Sequence, residues 1–325
     1  MYGHHSGLEI STFRDLRDLR VFRVCMKIIG TGLSGLVGSR IVEVLSSKYR
    51  FIDWSLEKGI DITDFSQLKS AFNKNKDAKF LLHLAAFTDV DVAHKQNNDK
   101  NSLCYQINVV GTKNLVKLCE AYKIHFIHTS TDFIFSGKDG KKQSPYTEKD
   151  KPDPIEWYGK TKLLAEKQVQ KANCSWTILR LAFPFKAKPS KTERRPPKLD
   201  LVRKIKVRLE YGQRVKVFTD QLITPTFIDD FTQIVEKVIE KKAAGIFNSV
   251  GSFFVSPFEL AQKIAQTFDL PEKLIKPASL EKFLKTANRP RQQFMALSNK
   301  KVKKELQVFP KDIEKALKEI KAQLQ

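Results

Sequence analysis

The sequence KIIGTGLSGLVG, from Lys27 to Gly38, joins a short apolar run to a glycine turn that opens a helical pattern. This order predicts a dinucleotide-binding turn, because glycines let the backbone approach a pyrophosphate and the helix N-terminus attracts its negative charge. The first candidate cofactor-binding residues are therefore those of the turn and helix start, namely Gly32, Gly35, Leu36, Val37 and Gly38.

The second apolar run ends near Asp53, which lies 21 residues after Gly32. An acid about 20 residues beyond the first glycine typically accepts hydrogen bonds from the ribose 2′-hydroxyl of NAD. Lys48, Arg50 and Lys58 lie close enough in sequence to offset its repulsion of a 2′-phosphate. We therefore predict Asp53 as the ribose ligand and either NADH or NADPH as the cofactor.

Downstream of Met26, apolar runs that suit strands alternate with helical patterns. The predicted strands are 26–29, 50–54, 80–86, 124–130 and 176–181, and the predicted helices between and after them are 36–45, 65–72, 108–122 and 160–171. Such alternation is typical of a parallel sheet covered on both faces. The expected fold class is α/β, a doubly wound parallel Rossmann sheet with a smaller C-terminal α+β substrate-binding domain.

The domain boundaries follow from shifts in composition. Residues 1–25 lack an apolar core run and are expected to be an extension outside the core, with residues 26–185 forming the cofactor domain. The stretch 186–216 holds twelve basic and three acidic residues and is expected to be a boundary or mobile loop. Residues 186–325 are expected to form mainly the substrate domain, with a return to the first domain at about 220–250. Within them, Ser256-Pro257-Phe258-Glu259 predicts a helix through Phe268, and a last helix is expected over 312–324.

Composition excludes several classes of protein. The chain has 41% hydrophobic and 29% charged residues, which is typical of a globular protein and not of a disordered one. No apolar run approaches the roughly 18 residues of a membrane span, so no membrane association is expected.

Four cysteines without CxxC spacing predict reduced thiols in a cytoplasmic protein, and the six histidines form no metal-binding motif. The net charge of +22 attracts polyanions, but it does not distinguish nucleic acid from nucleotides, and nucleic-acid binding is not expected.

A second group of candidate residues follows the predicted strand at 124–130. Thr131 lies at its end, and Tyr158 and Lys162 are four residues apart, so they share one face of the predicted helix. A tyrosine with a pKa of about 10 becomes a useful acid or base when a neighbouring ammonium stabilises the phenolate. Because Tyr and Lys at this spacing also occur as surface residues, the interpretation depends on their position after a nucleotide-binding sheet.

Further motifs occur in a recognisable order after the glycine turn. They are Asp61-Ile62, His83-Leu84-Ala85-Ala86, Asn108-Val109-Val110-Gly111-Thr112, Thr131 and Tyr158-x-x-x-Lys162. With them the chain resembles the extended short-chain dehydrogenase/reductases. Over Met26 to about Gln325 it is similar to the dTDP-4-dehydrorhamnose reductase family, through the segments 85–91, 130–135, 146–162, 224–226 and 289–290.

The resemblance implies NAD(P)H-dependent reduction of the 4-keto group of a nucleotide-linked deoxysugar, as in dTDP-L-rhamnose biosynthesis. It implies that Asp61 and Ile62 line the adenine and that Ala85 and Ala86 lie near the nicotinamide-side ribose. It also gives Tyr158 as the proton donor, Lys162 as the residue that holds the ribose and tunes Tyr158, and Thr131 as the group that orients the carbonyl. Arg289 is implied to bind the sugar nucleotide, and a homodimer is compatible with the resemblance.

Two other functions remain open on the same fold. One is a non-catalytic nucleotide-binding subunit like the regulatory subunit of methionine adenosyltransferase, although Thr131, Tyr158 and Lys162 favour catalysis. The other is a nucleotide-sugar epimerase or dehydratase. A 4,6-dehydratase is expected to carry an acid pair where this chain has Asp132-Phe133. The segment 180–185 and His94 depart from the reductase pattern, so the sugar itself is not assigned.

Overall fold

The computed structural model describes residues 26–138, 144–194, 196 and 199–325, and the extension expected at residues 1–25 lies outside them. The strands are β1 (Met26–Thr31), β2 (Tyr49–Trp54), β3 (Phe80–His83), β4 (His125–Thr131), β5 (Trp176–Leu181), β6 (Pro184–Phe185), β7 (Val215–Phe218), β8 (Leu222–Ile223), β9 (Thr226–Phe227), β10 (Gly245–Asn248), β11 (Ile275–Ala278) and β12 (Phe294–Met295). The helices are α1 (Leu36–Leu45), α2 (Phe65–Asn73), α3 (Val90–Lys95), α4 (Leu103–Tyr105), α5 (Thr112–Tyr122), α6 (Trp157–Gln170), α7 (Leu201–Glu210), α8 (Ile228–Lys241), α9 (Pro257–Phe268), α10 (Leu280–Leu284) and α11 (Ile313–Leu324).

Six strands form a central sheet in the order β10-β5-β4-β3-β1-β2, and each neighbouring pair is parallel. From β1 the chain crosses outward to β2 and then returns to β3 on the other side of β1. In such sheets ligands bind beyond the carboxyl ends of the strands, at the point where the order reverses. The topology therefore places the expected binding crevice between the ends of β1 and β3.

Alternate residues of the central strands face two different layers of helices. Ile28 of β1 belongs to the core cluster that includes α1 and α8, whereas its neighbour Ile29 belongs to the cluster that includes α2 and α5. Because both faces are buried, apolar residues occupy consecutive positions of the inner strands, as in Phe80-Leu81-Leu82 of β3. The predicted doubly wound α/β fold is confirmed.

The helix predicted at 108–122 begins differently in the structure. Gln106–Gly111 form a π-helical turn that joins α4 to α5. This turn buries Asn108, whose Oδ1 accepts a hydrogen bond from the Phe87 backbone N at 2.8 Å and whose Nδ2 donates to Thr161 Oγ1 at 3.0 Å. The side-chain amide of Asn108 therefore links the segment after β3 to α6 through hydrogen bonds.

A second core lies on the C-terminal side of the sheet. α7, α9 and α11 pack together there with the two-stranded sheet of β7 and β11. The stretch 186–216, expected to be a boundary or loop, contains α7, because Val202, Ile205 and Leu209 have helical spacing and are buried in this core. By contrast, α8 and β10 pack with the central sheet. The predicted helix at 256–268 has the expected capping box between Ser256 and Glu259.

Within the described ranges, no helix combines the length and the apolar character needed to cross a membrane.

Candidate active site

The glycine turn after β1 is too crowded for side chains. Gly32 has a φ of 68°, and a Cβ there would lie 2.6 Å from the Ala85 backbone N at the end of β3. A Cβ on Gly38 would lie 2.4 Å from the Gly32 carbonyl oxygen. In the described structure no side chain caps the N-terminus of α1 at Gly35. The first N–H groups of α1 are therefore left for an anion, which fits a dinucleotide's pyrophosphate.

A cavity of about 870 Å³ opens beside this turn, at the carboxyl ends of the strands. It has the size of an ordinary ligand site. Twelve of the residues predicted from the sequence line it, namely Gly32, Gly35, Leu36, Val37, Gly38, Asp61, Ile62, Ala85, Ala86, Thr131, Tyr158 and Lys162. The fold thus brings together residues that are up to 130 positions apart in the chain.

Asp53 lies near this cavity but behind its wall. Of the described residues after β2, Ser55, Leu56 and Glu57 line the cavity, whereas Asp53 does not. Its Oδ2 accepts a hydrogen bond from Ser55 Oγ at 3.2 Å, and its buried Oδ1 has no hydrogen-bond partner in the structure. Burial raises the pKa of this carboxyl above its ordinary value. Its predicted contact with the ribose remains a prediction, and it requires the side chain to turn toward the cavity.

Thr131, Tyr158 and Lys162 meet at the floor of the cavity. Thr131 ends β4, and Tyr158 and Lys162 lie one turn apart at the start of α6, which accounts for their common face. All three are buried, with exposed fractions of 6%, 8% and 2% respectively. Lys162 Nζ donates to the Thr129 carbonyl oxygen at 2.7 Å and lies 3.5 Å from His128 Nε2.

Asp132, which was not among the site residues predicted from the sequence, lines the same cavity. Its Oδ1 accepts a hydrogen bond from Thr131 Oγ1 at 3.0 Å, and among the described groups none bonds to its buried Oδ2. Burial raises the pKa of Asp132 to about 7. The signal for it was its place directly after Thr131 at the end of a strand.

Burial shifts the pKa values of Tyr158 and Lys162 in the direction that favours their neutral forms. Burial is the largest cause that raises the pKa of the Tyr158 hydroxyl, and the Asp132 carboxylate raises it further. Burial also lowers the pKa of Lys162 to about 8. The sequence predicted that Lys162 would lower the pKa of Tyr158. In the structure the pKa of Tyr158 is raised instead, because the cost of removing the phenolate from water exceeds the lowering by the hydrogen bond with Thr131. Tyr158 is therefore held in its protonated form.

Two buried histidines lie behind Lys162 in the sheet. His83 Nδ1 lies 2.7 Å from Thr31 Oγ1 and its Nε2 lies 3.1 Å from Thr112 Oγ1, and its ring is 5.3 Å from that of His128. Burial lowers the pKa of His83 to about 3 and that of His128 well below its usual range. Both are therefore neutral. Groups of three or more residues that could hold a metal ion do not occur in the described part of the chain.

Arg289, predicted to bind the sugar nucleotide, has other partners in the structure. Its Nε donates to Asp91 Oδ1 at 2.5 Å, and its Nη1 donates to Glu156 Oε2 at 3.0 Å. It is not among the residues that line the cavity. Because Glu156 directly precedes α6, Arg289 links the C-terminal region to the start of the helix that carries Tyr158. Its contact with the substrate remains a prediction.

Residues that follow β5 also line the cavity. Phe183, with a φ of 41°, and the segment around Arg194 are among them, and neither was among the predicted site residues. The backbone N of Arg194 donates to the Ser34 carbonyl oxygen in the glycine turn at 2.7 Å. The cavity is thus lined by both parts of the chain.

Known proteins match most of the chain. A dTDP-4-dehydrorhamnose reductase from Mycolicibacterium smegmatis is 27% identical over 281 residues, which cover 85% of this chain and 80% of that protein. A probable low-salt glycan biosynthesis reductase from Haloferax volcanii is 28% identical over 83% of this chain and 89% of its own length. The crystal structure of the dTDP-4-dehydrorhamnose reductase from Bacillus anthracis in complex with NADP superposes with a TM-score of 0.80 at 24% identity, over 92% of this chain and 99% of that one.

The family comparison confirms the resemblance predicted from the sequence motifs. The family described as "RmlD substrate binding domain" matches residues 26–325, which is nearly the whole chain. The protein therefore belongs to the RmlD substrate-binding-domain family.

Proposed function

We propose that this protein is an NAD(P)H-dependent oxidoreductase that reduces the 4-keto group of a nucleotide-linked deoxysugar, as in dTDP-L-rhamnose biosynthesis. The proposal rests on the observation that Thr131, Tyr158 and Lys162 line one cavity beside the glycine turn. The named reductase relatives and the NADP complex of the Bacillus anthracis protein support it.

The residues around the cavity fit a nicotinamide dinucleotide. The turn at Gly32 and Gly38 leaves backbone N–H groups for the pyrophosphate, and Asp61 and Ile62, which line the cavity, are proposed to border the adenine. When bound, the reduced nicotinamide supplies the hydride for the reduction. We further propose that residues 26–185, with a return at 220–250, hold the cofactor and that residues 186–325 mainly hold the nucleotide sugar.

Tyr158 acts as the acid in this proposal. Negative charge develops on the sugar's carbonyl oxygen during reduction, and a proton must reach it. A tyrosine whose pKa is raised by burial stays protonated at neutral pH, so it is ready to donate. Lys162, one helical turn away, holds the ribose and, when charged, favours the phenolate that remains.

Thr131 orients the carbonyl, and Asp132 sets which way its hydroxyl points. In the structure Thr131 Oγ1 donates to Asp132 Oδ1, which uses the only hydrogen of that hydroxyl. When Asp132 is neutral, its own O–H can donate to Thr131, and the Thr131 hydrogen is then free for the substrate oxygen. A pKa of about 7 at Asp132 allows both states near neutral pH.

The test is the loss of near-ultraviolet absorbance of NADH or NADPH when the protein is mixed with dTDP-4-keto-6-deoxy-L-mannose. We expect turnover, and we expect Tyr158→Phe to lower kcat by about 10²- to 10⁴-fold through loss of the acid. Tyr122→Phe is the matched control, because its hydroxyl bonds to Asn73 Oδ1 outside the cavity. Cofactor binding without turnover would contradict the reductase function and favour the regulatory-subunit alternative. Dinucleotide that stays bound through purification would favour an epimerase.

The finer statements about partners belong to this proposal as well. The substrate is expected to be a nucleotide sugar, the protein is expected to work in the cytoplasm without nucleic acid, and a homodimer is its expected oligomer. The basic surface supports a phosphate-bearing substrate, since a charge of +22 attracts small and large polyanions alike.

A further inference from the structure

The segment 186–194, which we call the strap, contacts α1 at Ser39 and Glu43. Lys186, which is 1% exposed, holds it there: its Nζ lies 2.7 Å from Glu193 Oε2 within the strap and donates to Ser39 Oγ of α1 at 3.0 Å. Ser190 Oγ donates to Glu43 Oε2, also on α1, at 2.8 Å. The strap is therefore fixed to the helix that begins at the glycine turn.

These anchors bring Arg194 to the adenosine end of the cavity. Its backbone N donates to the Ser34 carbonyl oxygen, and its guanidinium extends toward the segment after β2, where Nε lies 3.7 Å from Glu57 Oε1. Arg194, Glu57 and Ser55 all line the cavity. The end of β2 is the place where dinucleotide-binding folds read the 2′ position of the adenosine ribose.

The guanidinium of Arg194 is available to a ligand. Its side chain is 77% exposed, and 3.7 Å is longer than a hydrogen bond. An exposed ion pair of this kind contributes only about 0–1 kcal/mol. A phosphate monoester carries a charge of about −1.5 to −2 and accepts two parallel hydrogen bonds from arginine, so it competes well with the single carboxylate of Glu57.

The acid expected to select NADH is poorly placed by comparison. Asp53 is not among the residues that line the cavity, and its Oδ2 already accepts a hydrogen bond from Ser55 Oγ. Two acids near a 2′-phosphate, Asp53 and Glu57, would repel it if no cation compensated them. Arg194 supplies that cation from the part of the chain outside the nucleotide-binding sheet.

On these grounds we propose that Arg194, held by the strap, recognises the 2′-phosphate of the adenosine ribose and gives the protein a preference for NADPH over NADH. This inference rests on the proposed function, because it assumes that the cavity holds a nicotinamide dinucleotide. It makes Arg194 a specificity-determining residue that the glycine motif and Asp53 do not reveal.

The test compares dissociation constants of NADPH and NADH, measured by the fluorescence of the reduced nicotinamide, together with those of adenosine 2′,5′-bisphosphate and adenosine 5′-monophosphate, measured by calorimetry. We expect the wild-type protein to bind each 2′-phosphorylated ligand more tightly than its partner. Arg194→Ala should raise the dissociation constants of NADPH and adenosine 2′,5′-bisphosphate by about 10- to 100-fold, which is the loss typical of a hydrogen-bonded charge. It should change the dissociation constants of NADH and adenosine 5′-monophosphate by less than about threefold.

Further variants separate this role from general effects of charge. Lys191→Ala removes the same charge from an exposed position of the strap that does not line the cavity. It should leave the ratio of the NADPH and NADH dissociation constants unchanged. Arg194→Lys should restore part of the preference, because it keeps the charge but loses the paired hydrogen bonds. Glu57→Gln should strengthen NADPH binding, since it removes a competing and repelling carboxylate.

The outcomes distinguish the inference from the proposed function. Equal effects of Arg194→Ala on both dinucleotides, or no effect on either, would overturn the role of Arg194 while leaving the reductase function intact. A wild-type preference for NADH would also overturn it. A folded wild-type protein that binds neither dinucleotide would contradict the proposed function itself, and with it this inference.

Discussion

Gly38→Ala tests whether the tight packing of the glycine turn is what builds the cofactor site. The new methyl group would lie 2.4 Å from the Gly32 carbonyl oxygen and 2.7 Å from the Leu33 Cα. Ordinary contact begins at about 3.4 Å, so α1 and the turn must separate by about 1 Å. Both neighbours are backbone atoms, and no side chain can move aside to relieve the clash. Overpacking of this kind costs about 1–3 kcal/mol.

This free-energy cost of overpacking should mainly weaken cofactor binding, because the turn that must move carries the N–H groups for the pyrophosphate. If the whole 1–3 kcal/mol is taken from binding, the dissociation constant rises by about 5- to 150-fold. The assay is NADPH titration followed by fluorescence, with thermal unfolding measured on the same samples. Gly212→Ala is the control, since Gly212 has a φ of 66° but open space around its Cβ position. That variant should lose about 1 kcal/mol of stability through backbone strain and bind the cofactor normally.

A Gly38→Ala variant that binds NADPH with the wild-type dissociation constant and unfolds at the wild-type temperature would refute this prediction. Such a result would mean that the turn and α1 can separate without cost. A loss of stability with unchanged binding would also count against it, because the turn would then recover its geometry once the ligand is present.

Three further predictions concern stability. Burial holds the pKa of Asp132 at about 7 in the folded protein, above the ordinary 3.8, so the folded state binds more protons than the unfolded state between about pH 4 and pH 7. This group therefore lowers stability progressively as the pH rises through that window, and Asp132→Asn should flatten the decline in denaturant titrations at several pH values. Arg180→Met should cost about 3–5 kcal/mol, because it leaves buried Glu166 without the guanidinium that bonds both its oxygens, and adding Glu166→Leu should restore most of the loss in the same titration. Ser256→Ala should cost about 0.5–2 kcal/mol in thermal or chemical unfolding, because it removes the cap of α9, and a variant as stable as the wild type would contradict this account.

The parts of the site that the sequence predicted are those set by local spacing. Gly32 and Gly38 belong to one turn, and Tyr158 and Lys162 belong to one helical face, so their relative positions follow from backbone geometry alone. The strand order then carries these two groups to the same edge of the sheet.

The parts that the sequence did not predict depend on which partner a side chain finds in the folded chain. Asp53 has the expected spacing, but its bond to Ser55 and its place behind the wall are tertiary features. Arg289 meets Asp91 and Glu156, which lie more than 130 residues away from it in the chain. Arg194 reaches the cavity only because the buried Lys186 fixes the strap on α1, and no local pattern indicates that packing.

The return of the chain to the central sheet affects how the protein is made on the ribosome. β10 pairs with β5, yet 63 residues, among them α7 and β7 of the second core and helix α8, separate Leu181 from Gly245. At a synthesis rate of about 5–20 residues per second, the free edge of β5 stays unpaired for roughly 3–13 s before β10 is made. A nascent chain in this interval exposes an unpaired strand edge and an uncovered core, the two features that promote aggregation. The glycine turn is made first, yet the sheet that carries it is complete only after β10 has been synthesised.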